Sequence, residues 1–324
     1  FAVLMLLAIL ARIVLAMCVP GYSVDINCFT AWSLRMVEKG PSGFYQADYF
    51  CDYPPGYMLL LWPCGLLLQA VGLANTQAAL LIVKLLPLIC DILGSLWLFR
   101  FCKRRIGTAG AALVALLYAL NPVVLINGAA WGQADSVLAL MLALTACFAM
   151  ERRWSLAIPF FATAALLKPQ ALLFAPIGGA WLVLSLVTNK AERRQQWKRL
   201  GIGLLAAAVV AAAVILPFNG QQEPGWLIRL YRDTLGSYAY ANLYYLLGAN
   251  WTGLETLIPT ALAVGTALLF GCMAALGHWG KRFSAVASVP SLKRRALSIL
   301  MAAEALAQLV LAFLPATYNL YGYA

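Results

Sequence analysis

Charged side chains are scarce in this sequence. Asp, Glu, Lys and Arg make up 11% of its 324 residues, where soluble domains run near a quarter. A chain hydrated on every face is thereby excluded. Histidine is almost missing: His278 is the single copy, and the eight cysteines contain no Cys-x-x-Cys spacing. Neither supports a zinc-type centre, so no cofactor is expected, although a divalent ion held by carboxylates alone stays open. Acidic residues are few as well, 12 against 23 Lys and Arg, which leaves a net charge of +11.

The placement of that positive excess argues against a nucleic-acid partner. Sixteen of the 23 basic residues fall in four short connectors. These hold Arg100, Lys103, Arg104 and Arg105; Arg152 and Arg153; Lys190, Arg193, Arg194, Lys198 and Arg199; and Lys281, Arg282, Lys293, Arg294 and Arg295. Basic connectors that alternate with uncharged or acidic ones mark the cytoplasmic loops of a membrane protein.

What the sequence has in abundance is apolar residues, 63% of the total. They come in blocks long enough to cross a hydrocarbon core, which takes about 20 helical residues. The blocks are 1–19, 78–99, 108–127, 134–150, 155–188 (long enough to break in two), 200–217, 256–277 and 296–315. The expected fold is therefore an all-α polytopic membrane protein with about 8–10 transmembrane helices and interfacial helices in its first extracytoplasmic loop. With the basic connectors inside, 20–77, 128–133 and 218–255 fall outside the cytoplasm. The stretch 56–72 is apolar but interrupted by Pro63 and Gly65. It reads as an interfacial or re-entrant helix, and a true span with an external amino terminus is the competing reading. Most cysteines lie inside spans as small hydrophobes. Cys28 and Cys51 share the outer loop and could pair in an oxidising compartment. The sequence begins within an apolar segment, without Met or a basic leader, so a cleaved signal peptide is not expected.

The polar residues of the outer segments carry the candidate chemistry. Asp25, Asp48 and Asp52 fall within thirty residues of one another. From Asp25 onward Ile26, Phe29, Met36 and Val37 recur at helical spacing, the pattern of an amphipathic helix lying in the interface. Pro54–Pro55–Gly56 then turns the chain back toward lipid, with Asp52 and Tyr53 at the rim. A carboxylate beside an attacking hydroxyl can take its proton. Asp25 reads equally as a helix cap, and the two roles are compatible. In NPVVLINGAAWGQADS, Asp135 falls in the first turn of a helix, where the dipole favours negative charge. Trp131 reads as an ordinary interfacial aromatic, and Gln133, Asp135 and Ser136 as lining for a cleft. Lys168, followed by Pro169 and Gln170, interrupts the block 155–188. A lysine there either snorkels to the headgroups or faces an anion such as a lipid-linked phosphate. Arg229 and Arg232 lie three apart on a surface helix and could pair with phosphate, or be solvated. Lys84 and Asp91 share one helix face and point to the interior of a bundle.

An apolar span followed by VDINCFTAW, FYQADYFCDYPPGY, NPVVLINGAAWGQADS and LLKPQALLFAPI, in that order, resembles the GT-C superfamily of integral-membrane glycosyltransferases. Within it the chain is most similar to bacterial mannosyltransferase-like proteins related to the GPI-anchor mannosyltransferases, over about residues 3–315. The resemblance implies a single glycosyltransferase module over 1–324, with outer loops at 20–55 and 218–255. It implies transfer of mannose or another hexose from a polyprenyl-phosphate donor to an acceptor hydroxyl on a lipid, glycan or protein, outside the cytoplasm of a bacterial cell membrane. It also implies a catalytic carboxylate just after the first span, at Asp25, with Asp52 a suggestive second match. Gln133, Asp135, Tyr53, Lys168, Gln170, Arg229 and Arg232 are the expected substrate-binding residues, without a metal. Such proteins commonly carry a basic, histidine-containing outer motif after a Leu-Pro, where this sequence has FLPATYNLYGYA. Truncation at both ends is therefore expected. The rival readings are a transporter or flippase of lipid-linked sugar, which shares broken helices and intramembrane charge, and a non-catalytic membrane homologue.

Overall fold

The structure is a computed structural model that describes residues 1–46, 48–73, 78–188 and 192–237. Every regular element among the described residues is helical. The chain divides into two compact units. One comprises Phe1–Leu172 with Ala191–Tyr231; the other comprises Leu173–Lys190 with Arg232–Ala324. In the second, the described part is mainly the apolar helix α8 (Ala175–Thr188).

Helix α1 (Ala2–Cys18) is apolar on almost every face. It ends where Val19 turns extended and Pro20, lacking an N–H, cannot continue the ladder. Gly21 then takes a left-handed conformation, φ 86°, and α2 (Ser23–Lys39) leaves at 94° to α1. A bend that sharp takes α2 out of the line of α1. Its buried stripe of Ile26, Phe29, Ser33 and Met36 recurs at helical spacing. Against this stripe packs α3 (Pro55–Ala70), which starts from an extended Pro54 with proline in its first turn. Phe29 meets Tyr57 and Tyr53 edge-on at 5.3 and 5.7 Å, within the main buried cluster of this unit.

Helix α4 (Ala78–Ala119) is two helices joined at Gly107, whose φ of 75° and ψ of 176° are non-helical. After the break at Asn121–Pro122, a short helix α5 (Pro122–Trp131) widens to a π-type turn and stops at the left-handed Gly132. Then come α6 (Asp135–Met150), α7 (Trp154–Leu167), α9 (Arg193–Ile215) and α10 (Trp226–Ser237).

The number of spanning helices differs from expectation. Among the described residues, two helices are long and apolar enough to cross a membrane, Ala79–Ala119 and Arg193–Gly220, or three if α1 and α2 form one bent span. This makes the protein an integral membrane protein, but it overturns the reading of about 8–10 transmembrane helices. The reason lies in the helix breaks. Hydropathy runs straight through Asn121–Pro122 and Lys168–Pro169, whereas the backbone stops at each. The helices Pro55–Ala70, Pro122–Trp131, Asp135–Met150 and Trp154–Leu167 are left with 10–16 residues, at most about 24 Å of rise against a core of about 30 Å. The blocks 256–277 and 296–315 lie outside the described residues.

The helices α4, α6, α7 and α9 pack together and share one polarity of charge. At one end Arg105 pairs with Glu151 at 2.9 Å, and Arg199 donates to the Arg152 carbonyl at 3.1 Å. Three of the four basic connectors thus gather at that end. Helix α6 runs away from it to begin at Asp135, and α7 runs away from it to finish at Lys168. The interior holds one enclosed ion pair among the described residues: Arg12 Nε stands 3.5 Å from Asp91 Oδ2.

Candidate functional site

The helix ends opposite the basic cluster bring together residues from four separate stretches. Asp25, in the first turn of α2, is half-buried. Its Oδ2 accepts the Trp131 indole N–H at 3.0 Å and the Gln133 side-chain amide. Helix α2 is preceded by Tyr22 and has no side-chain cap. The carboxylate is therefore occupied across the fold, and the capping role is not taken up.

Trp131 and Gln133 are aimed by the end of α5. The Asn127 carbonyl accepts both the Gly132 and Gln133 backbone N–H groups at 3.0 Å, which wraps the chain tightly around it. Gly132 makes this possible with φ 83°. A Cβ there would also lie 2.6 Å from Ile26 Cδ1. The same Asn127 donates its side-chain amide to Asp135 Oδ2 at 3.2 Å. The other Asp135 oxygen takes the Lys168 ammonium. Lys168 reaches it because α7 ends one residue earlier and Lys168 itself is extended. Its Nζ also stands 5.4 Å from the centre of the Tyr53 ring.

The electrostatics bind these groups into one system. Burial pushes the Asp25 carboxyl above the ordinary carboxylate range, partly offset by the Trp131 bond and the Lys168 charge. Burial likewise raises Asp52, against its own backbone N–H and the same Lys168 cation. At Asp135 burial also works against the charge, but Lys168 and Asn127 outweigh it and hold the pKa below the ordinary value. One ammonium thus acts on three carboxylates. Burial, with the charges of Asp52 and Asp25, raises the neighbouring Cys28 thiol. Gln133 is 8% exposed, and its Oε1 is buried without a hydrogen-bond partner, as is Asn127 Oδ1. Among the described residues no group of three or more His, Cys, Asp or Glu is set to hold a metal ion.

Of the residues expected from sequence, Asp25, Asp52, Gln133, Asp135, Lys168 and Tyr53 fall in this cluster. Gln170 lies two residues beyond Lys168 in the turn Pro169–Phe174, with its Oε1 buried and unpartnered. Arg229 is elsewhere occupied, in an exposed pair with Glu223 at 3.1 Å. The side chain of Arg232 lies outside the described residues. Asp48 is exposed. Sequence reasoning missed Asn127 and treated Trp131 as a belt aromatic. The signal available was local density: Asn127, Trp131, Gln133 and Asp135 alternate within nine residues of one connection. Two open hollows of about 430 and 420 Å³, at Asn219–Trp226 and at Leu113–Pro122, include none of the cluster residues.

No protein-family model matches this chain. It is similar to an O-antigen ligase of Salmonella typhimurium, 35% identical over 65 residues, which is 20% of this chain and 16% of that protein. The chain therefore spans about a sixth of the length of the curated relative it matches, and the likeness shows no family.

Proposed function

We propose that this integral membrane protein is a glycosyltransferase of the GT-C kind. It would move a sugar, mannose or another hexose, from a polyprenyl-phosphate donor to an acceptor hydroxyl on the extracytoplasmic side of a bacterial membrane. The observation that carries the reading is Asp25. It is a carboxylate raised by burial, fixed by two neutral N–H donors, and set in one electrostatic system with the Lys168 ammonium. A base must be held in place and retain proton affinity near working pH, and this environment supplies both.

In this reading the acceptor hydroxyl gives its proton to Asp25 as its oxygen bonds to the sugar C1. The bond from C1 to the phosphate oxygen breaks, and polyprenyl phosphate leaves with the electron pair. Lys168 supplies positive charge for that leaving group, exchanging part of its contact with Asp135. Asp52 and Gln133 are available to hydroxyls of the sugar or the acceptor, and the unpartnered Gln133 Oε1 is a ready acceptor of one. The distribution of charge supports the extracytoplasmic side. Three basic connectors meet at one end of the packed helices, and basic ends favour the cytoplasm. Between Lys84, which touches the α5 segment of the site, and Arg100 the helix rises about 24 Å, a separation that supports a place for the cluster away from the basic end.

The test is transfer of radiolabelled sugar from polyprenyl phosphate by the purified protein in lipid nanodiscs, across several donor sugars. Asp25→Asn keeps the acceptor atom for Trp131 and Gln133 but removes the charge. It should lower turnover at least about 100-fold with little change in thermal stability. Undiminished transfer by Asp25→Asn would remove Asp25 as base. Wild-type protein inert toward every polyprenyl-phosphate sugar would remove the reaction class.

A further inference from the structure

Lys84 lies on the apolar half of α4, 1% exposed, and has no place in the chemistry above. Its ammonium donates to three backbone carbonyls: Val19 at 2.6 Å, Ala130 at 2.9 Å and Ala16 at 3.4 Å. Ala16 and Val19 form the end of α1, where carbonyls lack helical partners and the dipole favours a cation. Ala130 belongs to the last turn of α5, one residue before Trp131. The two chains that Lys84 joins are those that lead into the Asp25 contact, one through Gly21 to α2 and the other directly to the Trp131 indole. The join leaves no slack. A Cβ on Gly21 would stand 2.7 Å from the Trp131 carbonyl, and one on Gly132 would stand 2.8 Å from Lys84 Cγ. The Tyr22 and Trp131 rings meet edge-on at 5.9 Å.

We propose that Lys84 is a positioning residue for the site: by holding the ends of α1 and α5 together, it keeps the Trp131 N–H on the Asp25 carboxylate. This rests on the reading of Asp25 as a base, but its test needs no turnover. The indole bond stabilises the charged carboxylate, so loosening it raises the proton affinity of Asp25. The other ionisable groups that act on Asp25 are Lys168, Asp135, Asp52 and Cys28, whereas the Lys84 ammonium is held by the three carbonyls.

The full chain, labelled with 5-fluorotryptophan in nanodiscs, reports this through the fluorine resonance of Trp131, assigned by its loss in Trp131→Phe. The resonance should titrate with Asp25, and the titration should vanish in Asp25→Asn. In Lys84→Met the resonance should move and its midpoint should rise by about one pH unit, a tenfold gain in proton affinity. A folded Lys84→Met with an unmoved resonance and midpoint overturns the proposal. If Lys84→Met does not fold, Gly132→Ala decides: it keeps the ammonium and wedges the same join from the other side. An upward shift supports the proposal, and an unchanged midpoint overturns it. Should the protein prove to transfer no sugar, the titration still reads the positioning. Normal transfer beside an unmoved midpoint removes the positioning role alone.

Discussion

Replacing Lys168 with methionine should lower the stability of the protein and steepen its dependence on pH between 7 and 5. In the native protein the Lys168 ammonium holds Asp135 below its ordinary pKa and opposes the burial that raises Asp25 and Asp52. Asp135 therefore contributes stability that is present above the unfolded carboxylate range, near pH 4, and is lost as pH falls through its lower folded value. Asp25 and Asp52 act in the opposite sense, because a group raised on folding is more easily accommodated once protonated. Methionine fills the volume of the lysine stem but leaves three carboxylates without their cation. Stranding a fully buried charge costs about 3–5 kcal/mol. Asp135 is 41% exposed at its side chain, so solvent reduces that to about 1–3 kcal/mol. At about 2 °C per kcal/mol for a chain of this size, Tm at pH 7 should fall by about 2–6 °C. As pH is lowered from 7 to 5 the variant should recover part of that loss, since its carboxylates now take up protons more readily than in the unfolded chain. Pairing the change with Asp135→Asn removes the stranded charge and should restore more than half of the drop. The measurement is a fluorescence melt in nanodiscs across pH 5–8 for the wild type, both single variants and the double variant. A Lys168→Met protein as stable as wild type at pH 7, or a double variant no better than the single one, would refute the shared-cation account.

Two further outcomes follow from packing and from exposure. Gly56→Ala would place a Cβ 2.6 Å from the Leu166 carbonyl oxygen and 2.9 Å from its carbon. Both are backbone atoms that cannot swing away, so a loss of about 1–3 kcal/mol is expected, read as a lower midpoint in the same melts. Arg229→Ala removes an exposed pair and should change stability by less than about 0.5 kcal/mol. Transfer in the nanodisc assay should be retained; a loss of several-fold or more would return Arg229 to the site.

Legibility followed the kind of residue. Asp25, Asp52, Asp135 and Lys168 stand out in sequence because each is an ionisable group at the edge of an apolar run, where burial is costly enough to demand a reason. The bend after α1, the amphipathic α2 and the stop at Lys168 were legible from local pattern, since proline, glycine and periodicity act within a few residues. Partners were not. Nothing near Asp25 in the chain announces that its bonds go to Trp131 and Gln133, more than a hundred residues away. Asn127 looks like one more loop amide until its carbonyl and side chain are seen serving two neighbours. Arg229 stayed open in sequence because a cation on a surface helix suits phosphate and Glu223 equally well. The count of spans failed for a different reason. A hydropathy window averages over Asn121–Pro122 and Lys168–Pro169, and the breaks at these positions set the usable length of the helices on either side.

The right-angled elbow between α1 and α2 has a consequence for how the protein would respond to its surroundings. A lone helix meeting a thicker or thinner bilayer adjusts by tilting. Here α1 meets α2 at Gly21, packed so closely that a Cβ there would stand 2.7 Å from the Trp131 carbonyl oxygen. If the elbow keeps its angle of 94°, a lean of the first helix turns the arm that carries Asp25, and reconstitution in lipids of graded chain length should then grade the environment of that carboxylate.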